Sequence, residues 1–293
     1  VSIVQTVAEI VAPVFLLAAT GFVWVRAGFD YPTVFVTRLA MSLATPCLVF
    51  AALMTSEIDP AALGDMALAA LVAYAGMTVA MTLLVRVCRL DQRTYLAPLI
   101  FGNTGNLGLP LALFAFGDAG LGYAVAVFAV TSVASFTFGI WLVSGGASMT
   151  SFLREPLVGA TLLGALFLWQ GWQTPTFLTN AIELVGQLAI PLMLITLGVA
   201  MAGLSPRSLR RPTGLALAKV GAAAAIAGLT GLALGLPATA FAVLVLQVST
   251  PVAVTSYMLA RKYGADADAV AGLVVVSTLL SVIALPVLLA FLI

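Results

Sequence analysis

Apolar residues in this chain come in long unbroken blocks rather than at every third or fourth position. Ten blocks, at about 2–25, 33–54, 62–85, 95–115, 120–143, 156–173, 178–201, 213–235, 237–260 and 267–291, have the length of a membrane-crossing helix. Roughly twenty apolar residues cover the hydrocarbon core. An open strand is not an alternative there, because its unpaired backbone has no partner in lipid. The first block reads as a span rather than a cleaved leader, since no basic segment precedes it. Turn-forming pairs such as Asp59-Pro60, Gly117-Asp118 and Ser205-Pro206 mark the connectors. The longest polar connector, Ser144 to Glu155, is too short for a soluble domain.

The few basic residues set an orientation. Arg26 and Arg38 flank the first connector, Arg86, Arg89 and Arg93 the third, and Arg154 lies in the fifth. Arg207, Arg210, Arg211 and Lys219 fall in or near the seventh, and Arg261 with Lys262 in the ninth. The even connectors carry acids instead: Glu57, Asp59, Asp65 and Asp118. Basic loops stay in the cytoplasm, so both termini are expected outside it. Joining any two blocks would destroy this segregation, which makes it an independent check on ten spans.

Composition narrows the chemistry. Hydrophobic residues are 62% of 293 and charged residues 8%, against about 25% charged in a soluble domain. A net charge of +1 offers no pull on nucleic acid. The chain has no His, which removes the commonest metal ligand and general base. Cys47 in an apolar block and Cys88 in a basic loop make neither a disulfide nor a metal site. No cofactor or metal is expected.

The two halves echo each other. Leu43-Ala44-Thr45-Pro46 recurs as Leu188-Ala189-Ile190-Pro191, and Thr131-Ser132 with Ser135 recurs as Ser277-Thr278 with Ser281. Residues 1–145 and 146–293 each hold five spans, and an odd number inverts the second copy. Inverted repeats mark many secondary transporters, whose sites lie near the midplane between the copies. Chance likeness between apolar strings is the plainer explanation, but several landmarks share nearly one offset.

The fourth block contains Gly102-Asn103-Thr104-Gly105-Asn106-Leu107-Gly108-Leu109-Pro110. Three glycines, two amides and a proline suit a broken helix; Pro110 leaves the Asn106 carbonyl without its helical donor. In the ninth block Gln247-Val248-Ser249-Thr250-Pro251 stands at the matching place, with Pro251 freeing the Gln247 carbonyl. Such backbone persists at membrane depth only when buried in protein or lining a wet cavity. Helix N-termini exposed there favour an anion. Proline kinks and glycine packing are the bland alternative. That alternative suits Pro13, Pro46 and Pro191 better than the 103–110 run, whose buried amides need partners.

The Gly102–Pro110 run, Thr250-Pro251, Pro46, Ala260-Arg261-Lys262-Tyr263-Gly264 and Ile283-Ala284-Leu285-Pro286 together resemble the auxin efflux carrier family. That family includes plant PIN proteins and bacterial malonate and malate permease-like carriers, and the resemblance covers essentially the whole chain. It implies an all-α polytopic membrane protein of ten helices in two inverted five-helix repeats. Scaffold and transport (core) domains would interleave both repeats, and broken helices four and nine would cross as in bile-acid/sodium symporters. By that analogy a substrate carboxylate lies near Asn103, Thr104, Asn106, Gln247, Thr250 and Pro251. Gly102, Gly105, Gly108, Pro110, Pro251, Pro46 and Pro191 become the hinge and crossover residues. The long central loop of plant PIN proteins is missing, so the resemblance does not select auxin as substrate. It implies a small organic anion and membrane lipid as partners, a homodimer as candidate assembly, and the bacterial inner (plasma) membrane as location.

Ionisable residues within spans are functional candidates. Gln5 and Glu9 share a face of the first span, and Glu183 and Gln187 repeat that spacing on the seventh. Both carboxylates fall within about two turns of the outer surface, as a solvated rim or as a gate or proton site. Lys219 lies one to two turns inside the cytoplasmic end of its span. There it either snorkels to the interface or meets a substrate anion. Asn103, Thr104, Thr131, Ser132, Ser135 and Gln247 offer oxygen to an ion, so sodium coupling is open. Without a central carboxylate, which a hard cation usually wants, proton-coupled or uncoupled transport is equally open. An intramembrane enzyme lacks its catalytic groups here, and a channel does not call for paired broken helices.

Overall fold

Where an apolar run carries no internal breaker it forms one helix, and where proline or glycine intervenes the helix divides. The computed structural model describes residues 3–146, 156–204 and 210–293. The first half contains α1 (Ile3–Arg26), α2 (Thr33–Leu39), α3 (Thr45–Met54), α4 (Pro60–Val87), α5 (Gln92–Ile100), α6 (Leu109–Ala134) and α7 (Ile140–Ser144). The second contains α8 (Pro156–Gln170), α9 (Thr176–Gln187), α10 (Ala189–Gly203), α11 (Arg210–Ala233), α12 (Ala238–Val248), α13 (Val254–Tyr263) and α14 (Ala267–Leu292). Wide turns at Ala40–Ala44, Thr104–Gly108 and Ser135–Gly139 lead into α3, α6 and α7. The first has a plain cause: Pro46 has no N–H for the carbonyl four residues back, so the turn before it opens.

Local chemistry sets the ends. Asp59 accepts from Ala61 N (2.9 Å) ahead of Pro60, Asp91 from Thr94 N (3.0 Å), and Asp266 from Ala269 N (3.0 Å). Each caps a helix start whose first N–H groups lack intrahelical partners. Gly145 and Gly264 close α7 and α13 at φ +73° and +70°.

All of the described regular structure is helical, and seven stretches are long and apolar enough to cross a membrane. These are Val7–Arg26, Thr33–Met54, Pro60–Val87, Thr104–Ser144, Thr176–Gly203, Arg211–Ala233 and Ala267–Leu292. The sequence reading expects ten. The 156–173 and 237–260 blocks yield the shorter helices Pro156–Gln170 and Ala238–Val248. The 95–115 block is shared between α5 and the head of the 41-residue run Thr104–Ser144. Within that run Gly117 has φ +62° and ψ −154°, which breaks the helix direction.

The outside of the bundle is apolar. Leu68, Leu71, Val79 and Leu83 on α4, Leu229 and Leu232 on α11, and Ile283 and Phe291 on α14 are all exposed. An exterior of this kind is stable only against lipid.

Inside, two groups of helices pack. In one, α1 lies along α10, and α3 lies against α8 and α9; in the other, α4, α6, α11, α12 and α14 surround Met66, Met77, Leu99, Leu244 and Leu273. A second apolar core, with Val14, Leu107, Leu111, Leu194, Leu197 and Leu285, joins α1 and α10 to α6 and α14.

Candidate functional site

The two predicted breaks meet. α5 contains Pro98 and ends at Ile100, and Phe101 is extended (φ −94°, ψ 129°). α12 ends at Val248, and α13 restarts at Val254. Between them Gly102 and Val252 form an isolated antiparallel bridge, and Asn103 N donates to Pro251 O at 2.7 Å. On the second break the Thr250 hydroxyl donates to Gln247 O at 2.7 Å, filling the carbonyl that Pro251 leaves open. Val252 N donates to Ser277 Oγ at 3.0 Å. The interrupted backbone is thus repaired by the opposite break, by the break's own Thr250 and by Ser277 of α14, as buried backbone requires.

Glycine lets the two chains come this close. A Cβ on Gly102 would run into Thr250, and one on Gly108 into the Gln247 side-chain amide.

Asn103 organises the start of the second half-helix. Its Oδ1 accepts from Asn106 N at 3.2 Å, and its carbonyl accepts from Leu107 N at 3.2 Å and Gly108 N at 3.1 Å. Because Oδ1 faces an N–H, Nδ2 must be the other arm of the amide, and this donor is buried without a partner. Asn103 is only 5% exposed, so no bulk water compensates. An unmet buried donor of this kind costs about 1–3 kcal/mol and suits an arriving acceptor.

Asn103, Thr104 and Asn106 line a cavity of about 100 Å³, together with Thr131, Ser132 and Ser135 from α6 and the turn after it. Its far wall comes from the other helix group: Thr37, Ala40 and Met41 beside α2, and Met193 and Thr196 on α10. No residue lining it is charged. The Thr131 hydroxyl donates to Val127 O (2.8 Å). Thr196 meets the Tyr31 hydroxyl at 2.7 Å.

The remaining candidates lie elsewhere. Thr250 and Pro251 line a separate small cavity on the α11–α14 side, and Gln247 lines neither, its amide buried and without a partner. Pro110 sits in the first turn of α6, and Gly105 lies under the Phe128 ring. Pro46 is buried in α3 and Pro191 exposed on α10, and neither borders the cavity. Glu9 is exposed and accepts from Gln5 at 3.2 Å. Glu183 borders a cavity of about 430 Å³ with Glu57, Asp118 and Gln187, away from the crossing. Lys219 corrects the snorkelling expectation: it is 2% exposed and turned inward beside Thr250 and Pro251. Thr37, Met41, Met193 and Thr196 escaped sequence reading, because a threonine or methionine in an apolar span looks like any packing residue.

The described residues bring no three His, Cys, Asp or Glu side chains together as a metal set. Cys47 and Cys88 are free thiols. The crossing offers amide and hydroxyl groups around a small space.

Comparison with known proteins agrees. The profile of the membrane transport protein family matches residues 6–148 and 140–289. The chain is also similar to a protein of Methanothermobacter thermautotrophicus described as an uncharacterized transporter, with 32% identity over 196 residues. That alignment covers 63% of this chain and spans 63% of the relative's length. With family matches over nearly its full length and apolar helices throughout, the chain belongs to the membrane transport protein family, that of the auxin efflux carriers, and is an integral-membrane transport protein rather than an enzyme.

Proposed function

We propose that the protein is a secondary transporter that carries a small organic anion by alternating access, bound where the two broken helices cross. One observation carries this reading: the Asn103 Nδ2 donor is buried and unpartnered, on a residue that lines the crossing cavity and stands at the start of a half-helix. A carboxylate oxygen accepts from such a donor, and the positive end of the helix favours its charge. At about 100 Å³ the cavity has room for roughly three waters at their liquid volume of about 30 Å³ each. A compact mono- or dicarboxylate such as malonate or malate suits it better than an auxin-like acid, for which the walls must part.

The wider architecture follows the same reading. The run Thr104–Ser144, at 1.5 Å per residue, is about twice as long as a bilayer core of about 30 Å requires. Its break at Gly117 divides it into two crossings. Counting α5 with the head of this run, α8 with its short length, and α12 with α13 as one broken helix gives ten. Two inverted repeats, 1–145 and 146–293, are supported by the hydroxyls at a common offset of 146. Thr131 and Ser135 line one side of the crossing, and Ser277 (277 − 131) and Ser281 (281 − 135) the other. The group α1, α2–α3, α8 and α9–α10 acts as scaffold, and the rest is the moving core. Both termini lie outside the cytoplasm, the location is a bacterial inner membrane, and a homodimer is the candidate assembly.

Topology has a direct test. With Cys47 and Cys88 replaced by alanine, Asp118→Cys is expected to react with an impermeant maleimide in intact cells. Arg210→Cys is expected to react only after permeabilisation. The reverse pattern would overturn both the orientation and the inversion.

Solute counterflow in proteoliposomes, with malonate or malate as driven solute, separates a carrier from a channel. A sodium-coupled organic-anion symporter is the second reading, favoured by Thr131, Ser132 and Ser135 facing the same cavity as Asn103. No carboxylate lines that cavity, so counterflow is expected to persist when choline replaces sodium at fixed pH. Its disappearance would mean that hydroxyl and amide oxygens alone hold the ion.

A further inference from the structure

Lys219 stands in the apolar sequence Ala216-Leu217-Ala218-Lys219-Val220 of α11, and its side chain turns into the protein. It ends at a cavity of about 10 Å³ bordered by Ser249, Thr250, Pro251, Ser277 and Ser281. That is less than the liquid volume of one water, about 30 Å³. The ammonium nitrogen has no hydrogen-bond partner, and no residue lining the cavity is a carboxylate.

The surroundings suit a cation without neutralising it. α12 ends at Val248, beside this cavity, and the last carbonyls of a helix carry negative partial charge. The lining hydroxyls and the end of α12 offer oxygen, yet none carries a full negative charge. A buried cation without a counter-ion is costly, and an ionisable group inside a membrane protein generally answers to a partner. The residues of this cavity are also the back of the crossing. Pro251, on its wall, accepts from Asn103 N, and Thr250 packs on Gly102. Asn103 and Gly102 line the cavity on the other side. One layer of backbone separates the two.

Resting on the organic-anion reading above, we infer that the Lys219 ammonium is the fixed counter-charge of the transported anion, acting across the crossing without touching it. The empty core carries one unbalanced positive charge; a bound monocarboxylate cancels it, and a dicarboxylate reverses its sign. Anion binding therefore offsets the buried positive charge of the empty core. Lys219 is a positioning charge for selectivity and not a contact residue. Packed layers lie about 8–10 Å apart. A unit charge at that distance in an effective dielectric of about 20 changes affinity by roughly twentyfold.

The test uses the purified full chain in nanodiscs, with acetate, malonate, malate and indole-3-acetate as probes. Each probe is titrated by calorimetry into wild type, Lys219→Met, Lys219→Gln and Lys219→Arg. The acid that binds wild type is expected to lose roughly tenfold to thirtyfold in affinity for each negative charge it carries in the Met and Gln variants, and to keep wild-type affinity in the Arg variant. Equal affinity in wild type and Lys219→Met overturns the counter-charge and leaves the anion reading standing. Failure of all four acids to bind wild type overturns the anion reading, and the inference with it. If the neutral variants do not fold, wild type still decides. Lys219 and Lys262 are the two lysines of the chain, and Lys262 is exposed. With labelled lysine, the Lys219 Nζ resonance is expected to shift on adding the acid while that of Lys262 stays. A Lys219 signal indifferent to saturating acid overturns the proposal.

Discussion

Asn103→Asp is expected to remove anion binding and counterflow while leaving the fold intact. The two arms of this amide do separate work. Oδ1 holds Asn106 N at 3.2 Å, and an aspartate oxygen can do the same, with added favour from the helix start. Nδ2 is the buried, unpartnered donor of this cavity-lining residue, and aspartate replaces it with a second acceptor carrying charge. Two like charges about 4 Å apart in an effective dielectric of 20 repel by about 4 kcal/mol, or roughly a thousandfold in affinity. Asn103→Ala loses the donor and the cap together without adding charge. It should cost about 1–3 kcal/mol, or roughly tenfold to a hundredfold. The order wild type, Ala, Asp is thus the signature of an anion at Nδ2, whereas a purely structural role would make Ala the worse of the two. Binding of malonate or malate to monodisperse protein checks it. A folded Asn103→Asp variant with unchanged affinity and turnover would put the substrate elsewhere and reduce the 102–110 run to a packing device.

The crossing was legible because its causes are local. Gly102, Asn103 and Pro110 cannot continue an apolar helix, and neither can Thr250-Pro251, so both interruptions follow from residue chemistry. That they meet is a long-range fact, and in the sequence it came from resemblance rather than from spacing. Hydrophobic length found α1, α4, α11 and α14, which have no break. Hydropathy alone treats the 95–115 block as one span, and it is the Gly102–Pro110 composition that marks the break where Phe101 to Asn103 leave the helix. The sorting of polar residues was also out of reach. Asn103, Thr131 and Ser135 face one side of the crossing, while Thr250, Ser277 and Ser281 face the other. Depth along a helix does not tell which side of a crossing backbone a side chain takes. Lys219 shows the same limit: its place one to two turns inside the 213–235 block suited snorkelling, whereas in α11 it stands near the middle of the helix and is turned inward, where α11 packs against α12 and α14.

Gly198→Leu is expected to abolish the folded protein, whereas Gly203→Leu, about one and a half turns further along α10, should be tolerated. A Cβ on Gly198 would lie on the Ala18 carbonyl of α1, and a Cβ on Gly21 would lie on the Ile195 carbonyl of α10. Both obstacles are backbone, so no side-chain rotation relieves them, and the two helices must move apart. Small residues at such crossings let membrane helices reach van der Waals contact, which drives their association where lipid offers no hydrophobic gain. Overpacking by extra methylenes typically costs about 1–3 kcal/mol, and more is expected when the backbone itself must yield. Native stability is about 5–15 kcal/mol for a soluble domain, so the loss is a large share. Gly203 has nothing within 4 Å of its Cβ position, so the same side chain there meets open space. Thermal unfolding followed by size-exclusion chromatography reads the contrast, with Gly198→Ala as the graded case. The consequence reaches the site, because Thr196 sits on the same stretch of α10, holds the Tyr31 hydroxyl at 2.7 Å and walls the cavity opposite Asn103. A Gly198→Ala protein that still folds should therefore bind malonate more weakly without any change at the crossing. Wild-type Tm in Gly198→Leu would mean that α1 and α10 do not approach at Gly198, and the far wall of the cavity would then need another support.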